Sequence, residues 1–216
     1  MSEAIQKIID EKLIAIIRIE DTNSIEQVVT SLYKGGIQIV EVTMNTPGAL
    51  EAIGRIKSLF PDLLVGAGTV LDSETAQSAI SAGANFLLSP TLDKATIRTG
   101  NRYGVPVIPG VMTPTEALKA YEYGAQMVKV FPVRSLDPCF AKDLLVPLPF
   151  LKLMAVGGIS ESNTEDYLNS GWHAVGIGGQ LVNAQLIRDR DFVEIEKRAR
   201  RFVERKNNTC SFKGGE

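Results

Sequence analysis

Two charged residues interrupt apolar runs in this chain. Lys129 lies within Gln126-Met127-Val128-Lys129-Val130-Phe131-Pro132, and Glu41 within Ile39-Val40-Glu41-Val42. Both runs are short and rich in β-branched residues, so each reads as a strand buried on both faces. An ammonium in such a strand is costly to desolvate. A lowered pKa relieves that cost and leaves a free amine, which is a nucleophile toward carbonyls. A carboxylate in the same interior could carry the protons that a Schiff-base reaction moves. The same residues also suit a plainer arrangement, in which Lys129 snorkels to water or pairs with Glu41 as a structural ion pair.

Positioning these two groups in one interior needs a closed parallel sheet, and the hydrophobic pattern predicts one. A lead-in helix over residues 2–12 carries Ile5, Ile8 and Ile9 at helical spacing. Strands are predicted at residues 13–19, 38–43, 63–68, 86–89, 105–109, 126–131, 151–156 and 174–177, most followed by a helical segment with capping residues. Asp21 to Ser24, Asp72 or Ser73, and Thr113 before Pro114 are such starts, and Pro47 suits the first turn of another helix. Residues 192–206 close the series as an amphipathic helix. Eight strand–helix units at a spacing of roughly two dozen residues are the arithmetic of a (β/α)8 TIM barrel with an N-terminal lead-in helix. A doubly wound open sheet needs fewer strands and often has a glycine-rich first turn, whereas the first strand here ends in Arg18-Ile19-Glu20.

The chain has 216 residues, of which 44% are hydrophobic, enough for a substantial core. No Gly/Ser-rich, Pro-rich or like-charge linker divides it, so residues 1–216 are expected to form one domain. Net charge is −2 and the basic residues are scattered, which argues against a nucleic-acid surface and leaves a small anionic substrate open. Residues 1–10 lack the pattern of a signal peptide, and there is no apolar run of transmembrane length. Cys139 and Cys210 have neither metal-ligand spacing nor the look of a disulfide framework, so a cytoplasmic location is expected. His173, the only histidine, falls at the start of the last strand and reads as structural, and Cys139 reads as a small residue at a helix start. Residues 207–216 are polar and are expected to fray.

In a barrel, groups at the carboxyl ends of the strands face the active site. Here those ends offer Arg18, Glu41 with Thr43 and Asn45, residues 66–69, Ser89-Pro90, Pro109-Gly110, Lys129 with Phe131, Gly157-Gly158 and Gly178-Gly179. The two glycine pairs follow the last two strands, where backbone amides of a barrel often wrap a phosphate. Gly157-Gly158 precedes Ser160, read as a helix cap, and Gly178-Gly179 precedes another short helix in this reading. Glycine pairs also serve plain tight turns.

The ordered segments EVTMNTPGA, GAGTV, LLSP, IPGVMTPTE, VKVFP and VGGIS resemble the 2-keto-3-deoxy-6-phosphogluconate (KDPG) aldolase family, which also acts on 4-hydroxy-2-oxoglutarate. The resemblance spans residues 13–183. It implies a class I aldolase on a (β/α)8 barrel, a homotrimer without metal or cofactor, that splits a phosphorylated 2-keto-3-deoxy sugar acid into pyruvate and glyceraldehyde 3-phosphate in the Entner–Doudoroff route. By the family's motifs, Lys129 would form the Schiff base and Glu41 would be the general acid/base. Thr69 with Gly68 and its neighbouring backbone would hold the pyruvate carboxylate, while Pro90 and Phe131 would wall the pocket. Gly157, Gly158 and Gly179, beside Gly178 and with Arg18, would cradle the phosphate.

Three positions depart from gluconate-specific members, which often have arginine at Asn45, threonine at Val156 and serine at Gln180. Asn45 and Val156 resemble the branch acting on the galactonate epimer, yet GVMTPTE and VKVFP look like the gluconate branch. Thr43, Asn45 and Val156 are therefore the expected substrate-reading positions. Two other functions fit a phosphate-binding barrel: an isomerase or synthase that has no use for Lys129, and a non-catalytic sugar-phosphate sensor.

Overall fold

The computed structural model describes residues 1–209. Parallel strands β1 (Leu13–Ile17), β2 (Ile39–Thr43), β3 (Leu64–Gly68), β4 (Phe86–Leu88), β5 (Val107–Ile108), β6 (Gly110–Val111), β7 (Val128–Val130), β8 (Leu153–Val156) and β9 (Ala174–Ile177) form one sheet in the order β5-β4-β3-β2-β1-β9-β8-β7-β6. The helices are α1 (Glu3–Glu11), α2 (Ile25–Lys34), α3 (Ala49–Leu59), α4 (Ser73–Ser81), α5 (Lys94–Tyr103), α6 (Pro114–Glu122), α7 (Phe140–Leu145), α8 (Thr164–Asn169), α9 (Ala184–Arg188) and α10 (Phe192–Asn207).

Nine strand segments make eight barrel staves, because β5 and β6 are the halves of one stave. β5 pairs with β4, β6 pairs with β7, and Pro109 joins them. Proline has no N–H to give to a ladder, so the pairing changes partner there. Its carbonyl still accepts the Lys129 N–H at 2.9 Å, which helps close the barrel beside the lysine. The fifth stave therefore runs two residues past Pro109, where the sequence pattern ends it. The sixth is confined to Val128–Val130, shorter than its apolar run suggests.

Alternation along the strands separates two apolar regions. Leu13, Ala15, Val40, Val42, Val128, Val130, Leu153 and Ala155 pack outward with the helices. Ile14, Ile16, Ile39, Phe86, Leu88, Ile108, Met127, Met154 and Val156 fill the interior together with Ile5 and Ile8 of α1. The lead-in helix thus plugs the amino-terminal end of the barrel with the isoleucines whose spacing predicts it. Each fully buried side chain of this size contributes about 1.5–3 kcal/mol.

Local caps follow the sequence closely. The Thr113 hydroxyl accepts the Glu116 N–H while the Glu116 carboxylate accepts from Thr113, a reciprocal capping box with Pro114 at the first helical turn. Asp72 rather than Ser73 caps α4. Three expectations are corrected. Pro47 precedes Gly48, the actual cap of α3, so it lies outside the helix. Ser160 is not a helix cap: α8 begins at Thr164 with Asn163 before it, and Gly178-Gly179 leads to a turn, with α9 starting only at Ala184. Residues 207–209 are described, with Asn207 still helical, whereas residues 210–216, including Cys210, lie outside the described residues.

Candidate active site

β2 and β7 deliver Glu41 and Lys129 to the same interior. Outward-facing Val40, Val42, Val128 and Val130 anchor these strands under the helices, so alternation leaves the two charged residues no other direction. Glu41 is 1% exposed and Lys129 6% exposed. They form no ion pair, and Glu41 Oε2 is buried without a hydrogen-bond partner. A structural ion pair would show short, reciprocal contacts, so the plainer reading of these two charges is not what the geometry favours.

Burial dominates the ionisation of both groups. It pushes the Glu41 carboxyl above its ordinary range, against the opposing fields of Lys129 and Arg18. It also lowers Lys129, with Glu41 opposing and Arg18 reinforcing the shift. Burial therefore biases both groups toward their uncharged forms. Lys129 Nζ is 4.8 Å from the centre of the Phe131 ring, and Phe131 is partly exposed at the rim.

Room for the carboxylate comes from β3. A Cβ on Gly68 would fall 1.5 Å from Glu41 Oε1, and one on Gly66 would fall 2.4 Å from the Phe86 ring. The glycines of GAGTV thus admit the large side chains of Glu41 and Phe86 from the two neighbouring strands. Thr69 follows with φ of 57°, a left-handed conformation that a β-branched residue rarely adopts and that costs on the order of 1–3 kcal/mol. Backbone bonds on either side hold it, Met44 N–H to Gly68 O at 2.8 Å and Val70 N–H to Leu88 O at 3.1 Å. Pro90 is half-buried after β4.

The glycine pairs differ from one another. Gly157 and Gly158 have φ of 93° and 101°, and a Cβ on Gly158 would meet Arg134 Cβ at 2.6 Å. Gly178 and Gly179 face open space, with nothing within 4 Å of where a Cβ would be. Asn163 donates from Nδ2 to Gly158 O at 2.9 Å, and its Oδ1 accepts the Ser160 N–H at 2.8 Å, so it pins the first turn. Arg198 of α10 donates to Gln180 O at 3.0 Å beside the second. Sequence reasoning missed Arg134 and Arg198 because no local motif marks a side chain that acts on a loop far along the chain, and missed Asn163 because the nearby Ser160 reads as the cap.

The remaining expected residues divide. Val156 is 4% exposed in the barrel interior. Arg18 is exposed, yet near enough to act on both buried charges. The Thr43 hydroxyl is buried, donates to Ile17 O at 3.3 Å and is 3.2 Å from the Thr46 hydroxyl, so its single O–H donor is already engaged. Asn45 is exposed and makes no side-chain hydrogen bond among the described residues. His173 accepts the Leu153 N–H at the opposite end of the barrel, and Cys139 is exposed at the start of α7.

Known proteins are similar to this chain over most of its length. A 2-dehydro-3-deoxy-phosphogluconate aldolase of Treponema pallidum is 34% identical over 194 residues, 89% of this chain and 91% of that protein. A 2-dehydro-3-deoxy-6-phosphogalactonate aldolase of Escherichia coli is 33% identical over 174 residues, 80% of this chain and 85% of its own. The crystal structure of KDPG aldolase from Legionella pneumophila, with pyruvate captured as a covalent carbinolamine intermediate, superposes with a TM-score of 0.85 at 28% identity, covering 92% of this chain and 97% of that one. With the barrel, the buried lysine and these relatives in accord, the chain belongs to the KDPG and KHG aldolase family, whose model it matches over residues 4–198.

Proposed function

We propose that this chain cleaves 2-dehydro-3-deoxy-6-phosphogluconate to pyruvate and glyceraldehyde 3-phosphate as a class I aldolase, with Lys129 as the Schiff-base lysine and Glu41 as its proton carrier. The observation that carries these roles is a buried lysine, free of any ion pair, facing a buried carboxyl with an unpartnered oxygen. The free amine adds to the C2 carbonyl of the substrate, and the resulting hydroxyl leaves as water with the proton that Glu41 gives up, so that an iminium stands beside a carboxylate. Glu41 takes the proton of the C4 hydroxyl. The C3–C4 bond breaks, its electrons pass into the iminium, and the aldehyde departs from an enamine. Glu41 returns its proton to C3, and hydrolysis of the new iminium frees pyruvate and the amine. In this reading the Thr69 turn receives the carboxylate, Pro90 and Phe131 wall the pocket, and residues 157–158 and 178–179 with Arg18 receive the phosphate. 4-Hydroxy-2-oxoglutarate, which lacks the phosphate, is a second substrate.

One observation favours the galactonate epimer as an additional substrate. Val156 is apolar and buried at the position expected to read the C4 hydroxyl, so no hydrogen bond from it can separate the epimers. Residues 1–216 act as one catalytic unit in this reading, in the cytoplasm and as a homotrimer. Exposed Leu118 and Tyr121, three residues apart on α6, and Phe150, whose ring is 4.4 Å from that of Tyr121, support an assembly surface. No helix among the described residues is long and apolar enough to cross a membrane.

Incubation with pyruvate and borohydride, followed by peptide mass spectrometry, tests the central step. A reduced pyruvate adduct on Lys129 is expected, absent from Lys129→Arg, which should also lose cleavage while remaining folded. An adduct elsewhere, or cleavage by the arginine variant, would sink the assignment.

A further inference from the structure

A second cleft opens at the amino-terminal end of the barrel, opposite the site above. Its volume is about 490 Å3, within the range of small-molecule sites. Leu151, Leu168 and Trp172 give it an apolar lining, and its polar groups come from Lys12, Lys152 and His173. No carboxylate lines it among the described residues, and neither lysine forms an ion pair there.

The histidine is set up as a donor. Its Nδ1 accepts the Leu153 N–H at 3.2 Å, so the proton of the neutral ring is on Nε2, which has no acceptor among the described residues. Burial, reinforced by Lys152, lowers its pKa to about 4 and keeps the ring neutral at neutral pH. Lys12 adds an independent sign. It ends α1 with φ of 62°, where glycine is the residue of least strain, so a lysine is held there at a conformational cost. Among the described residues its Nζ donates only to the Thr209 hydroxyl, at 3.3 Å, a neutral partner. Nothing in the aldol reaction uses these residues.

We propose that this cleft is a second small-molecule site for an anion with an apolar body, an aryl or alkyl carboxylate. Lys12, Lys152 and the His173 N–H hold the carboxylate, and Trp172, Leu151 and Leu168 take the body. Two ammonium groups without a counter-anion among the described residues, beside an N–H donor without an acceptor among them and an apolar lining, are complementary to that class.

Trp172 is the single tryptophan of the chain, so its emission reports on this cleft. Titration of the full chain with 3-phenylpropanoate at fixed ionic strength should give a saturable change in that emission, unaffected by excess pyruvate. The neutral 3-phenylpropanamide should bind at least about tenfold more weakly, as should Lys12→Gly and Lys152→Gln towards the carboxylate. Lys12→Gly suits the left-handed backbone, and unchanged circular dichroism checks the fold of both variants. The proposal is overturned by equal binding of the amide, by undiminished binding in both variants, by competition from pyruvate, or by the absence of any saturable change.

Discussion

At the amino-terminal end of the barrel, α1 places Ile5 and Ile8 against Ile14, Ile39 and Phe86, and the interior is filled by hydrocarbon. Higher in the same barrel, β2 and β7 turn Glu41 and Lys129 into the same interior, and β3 answers with two glycines. The two regions share strands and alternation but solve opposite problems. One fills space to exclude water. The other leaves space beside charges, keeps them dry, and lets burial bias both toward their uncharged forms. Stability is concentrated in the first region and chemistry in the second.

Substitutions can break that division. The largest effect is expected at the catalytic end, where Glu41→Gln should lower cleavage and proton exchange at the pyruvate methyl by about 10²–10⁴. Gly68→Ala should fall in the same range for a different reason: its methyl occupies the position of Glu41 Oε1, and the flexible carboxylate must move aside. Thermal midpoints should change little in either case. A Gly68→Ala protein with native exchange rates would show that the position of the carboxylate is immaterial.

Ile8→Ala probes the opposite end and should reverse the pattern. Loss of a fully buried isoleucine from the plug should cost about 2–5 kcal/mol in denaturant unfolding, while kcat per folded molecule stays near native. A loss of kcat without a loss of stability would mean that the plug shapes the site directly.

Val156→Thr should have the smallest effect and sharpens the comparison within the catalytic end. A hydroxyl placed to donate to one epimer is left unpaired by the other, a difference of roughly 1–3 kcal/mol. The native chain should cleave both epimers, and the variant should shift toward the gluconate-derived acid, as read from kcat/KM for each. A native chain already selective by several hundredfold would place the stereochemical reading elsewhere.

Much of this was legible in one dimension because period and composition are local. Isoleucine spacing marked α1, strand–helix alternation marked the barrel, and charges inside apolar runs marked Lys129 and Glu41. The expectations that failed concern element boundaries and caps. Ser160 resembles a cap as well as Asn163 does, and Pro109 resembles a strand end when it is the point where one stave changes partner.

The sequence by itself determined the family, the barrel and the identity of the buried pair, since ordered motifs and side-chain periodicity survive without coordinates. Only the tertiary structure decided that the pair forms no ion pair, that Gly68 makes room for Glu41, that Thr69 is held left-handed, and that the Thr43 hydroxyl is already engaged. Each of these depends on distances of a few ångströms between residues on different strands or turns. Such distances are set by closure of the whole barrel, which no local pattern encodes.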